Sequence, residues 1–186
     1  INTAASFETF AEVLNTGHGV IGTTHAEDME TLVNRVIEQG LPAYLLRELD
    51  LVVFPKHVDG ERYVGEVVEV VGDETMATGS TEKDGTVVHW NRVAWRDHDG
   101  EFRFAYAPDT DAESVEPGVR VFDRLADRTD RPVEDVTAEF ERKHRYVQYM
   151  VREGLDDFAD LFGFLSDLRN DEAATVERIS ERGDRA

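Results

Sequence analysis

The period of the apolar pattern changes twice along this chain, and that limits what it can fold into. From Asp50 to Tyr106 apolar residues alternate or run in short blocks between turn signals; on both sides they recur at spacings of three and four. The stretches 50–58 (DLVVFPKHV) and 62–71 (RYVGEVVEVV) read as strands joined through Asp59-Gly60-Glu61, a hairpin signal. The stretches 86–95 and 101–106 read as a second pair turning at Asp97–Gly100. Phe102, Phe104 and Tyr106 then share one face by period-two alternation. Polar, Gly/Thr-rich 72–85 reads as a loop, and 107–118 as an acidic linker.

Helices are expected on either side. Phe7, Phe10, Ala11 and Leu14 place a helix over 6–15, with Ser6 as N-cap and Gly17 as the stop. Residues 18–25 (HGVIGTTH) read as a buried strand around Val20 and Ile21. Met29, Leu32, Val33, Val36 and Ile37 form one stripe of a helix over 27–39, with Glu27 and Asp28 in its first turn and Gly40 closing it. Pro42 opens a short helix through Leu49. Later come a helix over Val119–Arg128, one with Asp130 as cap and Pro132 at its first position that runs through Glu153 and ends at Gly154, one over 156–169, and a polar one over 171–182. Val136, Phe140, Val147 and Val151 mark the buried side of the longest. Phe158, Leu161, Phe162, Leu165 and Leu168 mark that of the next. The fold class is thus α/β with antiparallel β-hairpins and a C-terminal helical part. The expected divisions are 1–106, the 107–118 linker, and 119–186. A single early strand among helices cannot make a doubly wound sheet. The first 50 residues read as the back of an α/β domain whose other strands lie elsewhere.

Charge narrows the partners. Forty acids against 20 bases give a formal charge of -20. This argues against a nucleic-acid-binding module and against an anionic membrane surface. Without cysteine there is neither a disulfide framework nor a thiolate zinc site. No apolar run approaches the roughly 20 residues of a membrane span. The chain starts at Ile1 without a signal-peptide pattern, and is read as a fragment, a processed piece, or a chain lacking its start. Lys supplies three of the 20 bases (Lys56, Lys83, Lys143) and Arg the rest. We read this balance as that of a halophilic protein from a high-salt cytoplasm. Molar salt shortens the Debye length to about 3 Å and screens the acids from one another.

Candidate chemistry is sparse. No Gly-x-x-x-x-Gly-Lys-Ser/Thr occurs, so the chain has no P-loop of its own. His18 and His25 bracket the expected early strand. Seven steps at about 3.3 Å would separate them by roughly 23 Å, too far to share a metal, and no metal site is expected. His25 falls at the strand's C-terminal end, the edge where open α/β sheets bind ligands. Thr23 shares its side. A His there can bond a phosphate or orient a water; it can equally cap a helix or close a turn. Arg35 and Arg47 lie on nearby helices, suited to a phosphate or to ordinary salt bridges. His57, His89, His98 and His144 read as structural or exposed, and no Ser-His-Asp arrangement stands out.

Thr16-Gly17-His18-Gly19 followed by Gly22-Thr23-Thr24-His25-Ala26-Glu27 resembles the Thr-Gly-His and Thr-x-His-Ala segments of type II/IV secretion ATPases, closest to the archaeal motors that assemble pili and archaella. Leu32–Val36, Leu49–Val53, Arg62–Val71, Phe140–Lys143 and Tyr149–Gly154 resemble later segments of that family. The resemblance runs from about residue 7 to about 180. It implies the C-terminal portion of a RecA-like ATPase domain in an oligomeric, hexameric ring, driving secretion or type IV filament assembly. It implies a cytoplasmic place, peripheral at the membrane's inner face through a platform protein. The segment matching Thr23-Thr24-His25 is that family's His box. His25 takes the catalytic role there, with Thr23 and Thr24 as neighbours, and Arg35 is the candidate cofactor-binding residue. The Walker A loop, Asp box and Walker B acid have no counterpart in this sequence. ATP and Mg²⁺ would be held only with that missing part supplied; the alternative is an inactive protein-binding module that retains the scaffold. The composition predicts a salt-dependent fold. Cooperative melting should be lost below about 0.5 M salt, as the Debye length grows past about 4 Å; a melting temperature that ignores salt would contradict this.

Overall fold

The structure is a computed structural model that describes residues 3–16, 18–72, 77–105 and 119–183. It divides into two compact units, Ile1–Asp130 and Arg131–Ala186, each mixed or helical in its own right.

The first unit opens with helix α1 (Ala4–Asn15). Thr3, not Ser6, is its N-cap: the Ser6 N–H donates to Thr3 Oγ1 at 3.3 Å, and the Thr3 N–H to Ser6 Oγ at 3.1 Å. This reciprocal capping box satisfies two donors that a helix start leaves free. Helix α2 (Met29–Glu38) is capped by Asp28, and buries Met29, Leu32, Val33 and Val36. A 3-10 helix follows at Ala43–Glu48.

Among the described residues five antiparallel strands come next: β1 (Leu51–Val58), β2 (Glu61–Val71), β3 (Gly79–Lys83), β4 (Thr86–Arg96) and β5 (Phe102–Phe104). They lie in the order β1-β2-β4-β3, with β5 also pairing β4. Two Asp-Gly turns set the hairpins. Asp59 and Gly60 have φ of 52° and 87°, Asp84 and Gly85 of 49° and 72°. Left-handed φ at both positions matches the right-handed twist of the strands, and Asp-Gly favours it. β3 corrects the reading of 72–85 as a loop. As an edge strand it needs no apolar pattern, and Gly79 lies so close to Trp90 that a Cβ would come within 2.6 Å of the ring. Residues 73–76 of that stretch lie outside the described residues, as do the linker 107–118, Tyr106 and Gly17.

One sheet face carries Phe54, Val68, Val70 and Val88 into a core shared with Phe7, Met29, Leu32, Val33, Val36, Ala43 and Leu46. The other face meets helix α3 (Val121–Thr129), whose N-cap residue Arg120 makes no side-chain cap. Glu69 of β2, 0% exposed, does that work from the sheet. Its carboxyl oxygens accept from the Arg120 N–H at 2.9 Å, the Val121 N–H at 2.8 Å and Asn91 Nδ2 at 3.3 Å. Arg124 donates to the Val70 and Asp50 carbonyls at 3.0 and 3.1 Å. These bonds tie α3 to the sheet, in keeping with its place in the unit that ends at Asp130. Asp130 is the left-handed C-cap of α3, and Pro132 the N-cap of the next helix. The expected cap role of Asp130 is corrected accordingly.

On α3's side of the sheet, Val53, Val67, Ala94 and Phe104 line up across four strands by register. Phe102 and Phe104 do share a face, but they are 46% and 50% exposed.

The second unit holds α4 (Val133–Arg152), α5 (Phe158–Asn170) and α6 (Glu172–Gly183). Tyr146, Tyr149 and Phe164 form its core, with Met150, Leu155, Leu168, Val176 and Ile179 packed around them. The expected stripes are corrected here. Val136 is buried, but Val147, Val151, Phe158, Phe162 and Leu165 are exposed, Val151 to 76% and Phe158 to 75%. The buried side is rotated toward the tyrosines, because Tyr146 donates to Glu172 at 2.8 Å and Arg142 pairs with the same carboxylate at 2.8 Å. Glu139 accepts from Lys143 at 2.6 Å and Arg131 at 2.7 Å, and these bonds hold its carboxyl at about 2. No helix among the described residues is long and apolar enough to cross a membrane.

Two outcomes follow from these bonds. Glu69→Gln turns an acceptor toward backbone donors into a donor, and should cost about 2–3 kcal/mol, lowering the melting temperature by about 5–10 °C; Glu82→Gln on exposed β3 should not. Glu139, depressed below its ordinary 4.5, adds stability that is present above that value and lost as pH falls toward about 2. Glu139→Gln should therefore be less stable at neutral pH by up to about 1 kcal/mol, and the gap should close in acid denaturation followed by circular dichroism.

Candidate functional site

Residues 18–28 join α1 to α2, and the expected strand over 18–25 is absent. A strand exists only through a ladder partner for its N–H and C=O groups. The five strands pair among themselves, and none pairs with 18–25. Ile21 is consequently 99% exposed and not buried. With the strand goes the argument that His25 stands at a strand's C-terminal end.

The side chains singled out from sequence are placed as follows. His25 and Thr23 are exposed, and His25 makes no hydrogen bond to a described residue. Thr24 is half-buried; its Oγ1 is buried without a partner among the described residues, as is Nε of Arg35 on α2. His18 Nδ1 lies 2.7 Å from Thr16 Oγ1. Arg47 is structural, donating to the Val87 carbonyl at 2.7 Å. His57 is exposed on β1, and His144 sits beside the Phe140 ring at 6.3 Å. Among the described residues no group of three or more His, Cys, Asp or Glu could hold a metal. Gly17-His18-Gly19-Val20-Ile21-Gly22 spells Gly-x-Gly-x-x-Gly, the dinucleotide fingerprint. That motif works only between a strand and the helix it opens. Here helix α1 precedes it and α2 begins seven residues after Gly22, at Met29.

What anchors the His25 segment went unnoticed in the sequence. Asp28 accepts from the Thr31 N–H at 2.8 Å, and Lys56 Nζ on β1 donates to the Glu27 carbonyl at 3.1 Å. The Thr31 bonds first, then the nearby Lys56 charge, hold the Asp28 carboxyl below its usual range. Lys56 reaches across Gly65, where any Cβ would meet its Cγ at 2.5 Å. Gly65 sits where the β1–β2 register shifts between Phe54 and Pro55. The bulge and the missing side chain together aim Lys56 at the segment that follows His25.

Lys56 also lines an open groove of about 410 Å³ with Tyr63, Gly65, Arg96, Asp97, His98 and Gly100. Arg96 is fixed there. Its Nε donates to the Gly100 carbonyl at 2.9 Å, and its guanidinium lies 4.3 Å from the centre of the Tyr63 ring. Asp97 accepts from the His98 N–H at 2.8 Å and from Arg103 at 3.4 Å; the first of these chiefly holds its carboxyl low. The one hint in the sequence was Lys56 itself, one of only three lysines in an Arg-dominated chain.

Compared with known proteins, the chain matches no family model and no curated protein. Its functional reading therefore rests on these residues and on the resemblance they carry.

Proposed function

We propose that this chain is the His-box-bearing part of an ATP-driven secretion or type IV filament motor, a C-terminal portion of a RecA-like domain. The observation that carries the reading is the state of residues 18–26. They hold β-branched residues suited to a strand, have no ladder partner among the described residues, and leave Ile21 and His25 facing solvent. Such a segment is suited to completion by other polypeptide, and its His is available to a phosphate held there. In this reading His25 contacts the terminal phosphate, Thr23 and Thr24 flank it, and Arg35 supplies charge. The Walker A lysine and the Mg²⁺ ligands belong to the completing polypeptide. Phosphoryl transfer needs those parts together, so a lone His box is not a catalyst. Homo-oligomerisation and docking to a membrane platform protein belong to the same proposal.

A second reading has its own support. The row Val53, Val67, Ala94 and Phe104 presents an uncharged strip across four strands. Apolar patches of this kind suit protein contacts, which fits a non-catalytic binding module built on the same scaffold.

The two part in one experiment. Alone in molar salt the chain should hydrolyse ATP no faster than background; turnover near 1 s⁻¹, within the ordinary enzyme range, would overturn the need for a completing part. Assembled with the Walker-bearing polypeptide, His25→Ala should lower steady-state hydrolysis at least about a hundredfold, and His144→Ala should leave it unchanged. Equal effects would remove the His-box role and favour the binding module.

A further inference from the structure

In a chain with twice as many acids as bases, most cations are expected to meet a carboxylate. Most placed arginines have one: Arg92 has Glu66 at 2.7 Å, Arg128 has Asp50 at 2.7 Å, Arg178 has Asp167 at 2.6 Å. Arg47, Arg62 and Lys83 have none within 4.0 Å among the described residues, and the groove on the β1–β2–β4 surface holds a further such cation. Lys56 has no carboxylate within 4.0 Å among the described residues, and spends its recorded bond on a backbone carbonyl. Arg96 spends its Nε on another carbonyl; its nearest carboxylate, Glu61, stands at 4.0 Å on a largely exposed side chain. The acid lining the groove, Asp97, is engaged by Arg103 and by the His98 N–H. Lys56 also acts on the nearby Asp28 carboxylate, but among the described residues neither cation has a carboxylate closer than 4.0 Å, and both line an open space.

That space is shaped as well as charged. Gly65 and Gly100 contribute no side chains to its wall. Arg96 is held in place before any ligand arrives, by the Gly100 carbonyl and by stacking on Tyr63. Its terminal nitrogens remain for a bidentate partner, the recognition a planar guanidinium performs best. Lys56 adds a point charge, and His98 a ring on the rim.

The geometry points to this groove as an oxyanion site that takes a phosphate group through Arg96 and Lys56. The size of the groove, about 410 Å³, admits a phosphate ester or a diphosphate as readily as the free ion. The inference stands apart from the motor reading, because it uses neither His25 nor a completing polypeptide.

The test is a titration of the full chain at a constant ionic strength of about 1 M, where its own acids are screened. Ring resonances of His98 report binding, with His144 as the internal reference. Inorganic phosphate and pyrophosphate should shift His98 saturably and leave His144 unmoved. Arg96→Gln and Lys56→Gln should each weaken binding about tenfold or more. Arg62→Gln, on the same hairpin but outside the groove, should not. Circular dichroism checks that each variant is folded; if Arg96→Gln is not, Lys56→Gln decides. ATP and adenosine separate the sources. ATP acting like pyrophosphate with adenosine silent supports a phosphate-borne contact, whereas adenosine shifting His98 overturns it. No saturable shift with either phosphate, or shifts that neither variant weakens, also overturns it. Loss of the His25 effect on hydrolysis would leave this titration untouched, so the two failures are distinguishable.

Discussion

A single buried carboxyl group holds the first unit to its architecture. Glu69 sits near the end of β2 with no exposed surface, where a charged side chain is costly unless every lone pair is used. Here they are used on the free N–H groups of α3 and on Asn91. The solution serves both partners. The helix start has no cap of its own, and the acid has no solvent. A helix N-terminus also favours negative charge, so the contact gains from the aligned peptide dipoles. Together with the Arg124 bonds to the Val70 and Asp50 carbonyls, this contact joins the start of α3 to the sheet.

Arginine extends the same logic. Arg47, Arg124 and Arg128 each reach a distant backbone carbonyl or carboxylate: Val87, Val70 with Asp50, and Asp50 again. Such bonds join elements far apart in sequence, and a guanidinium makes several at once where an ammonium makes one strong point contact. A chain of seventeen arginines and three lysines therefore does more than balance charge. Its cations act as cross-links, and Lys56 does the same from β1 to the Glu27 carbonyl.

Much of the fold was legible before the structure, because it lies in local signals. The α2 stripe, the Asp59-Gly60 turn, the two long hairpin strands and the helical C-terminal part follow from periodicity and turn chemistry. The failures share a cause: each depends on a partner far away in sequence. The run 18–25 has the composition of a strand, but pairing decides, and no described strand offers an edge to it. β3 has the composition of a loop, but β4 offers it an edge. The α4 and α5 stripes chose a plausible face, and the Tyr146–Glu172–Arg142 cluster selected another. Glu69 read as one acid among forty, since nothing local distinguishes it. The site was less legible still. His25 was found by its surroundings in sequence, whereas Lys56 and Arg96 acquire meaning only from the glycines and carbonyls folded next to them.

Lys56 links the two places where chemistry is available, and its valence settles whether they compete. An ammonium carries three donors. One goes to the Glu27 carbonyl, just past His25, and holds that segment against β1. Two remain for the groove. Arg96 divides itself likewise, with Nε on Gly100 and its two terminal nitrogens directed elsewhere. Anchoring and anion binding therefore draw on different hydrogens of the same groups. An oxyanion in the groove would add to the bonds that fix Lys56, narrowing its motion and, through Glu27, that of the His25 segment. Binding there would then order the segment, not release it, because no existing bond has to break for the new ones to form.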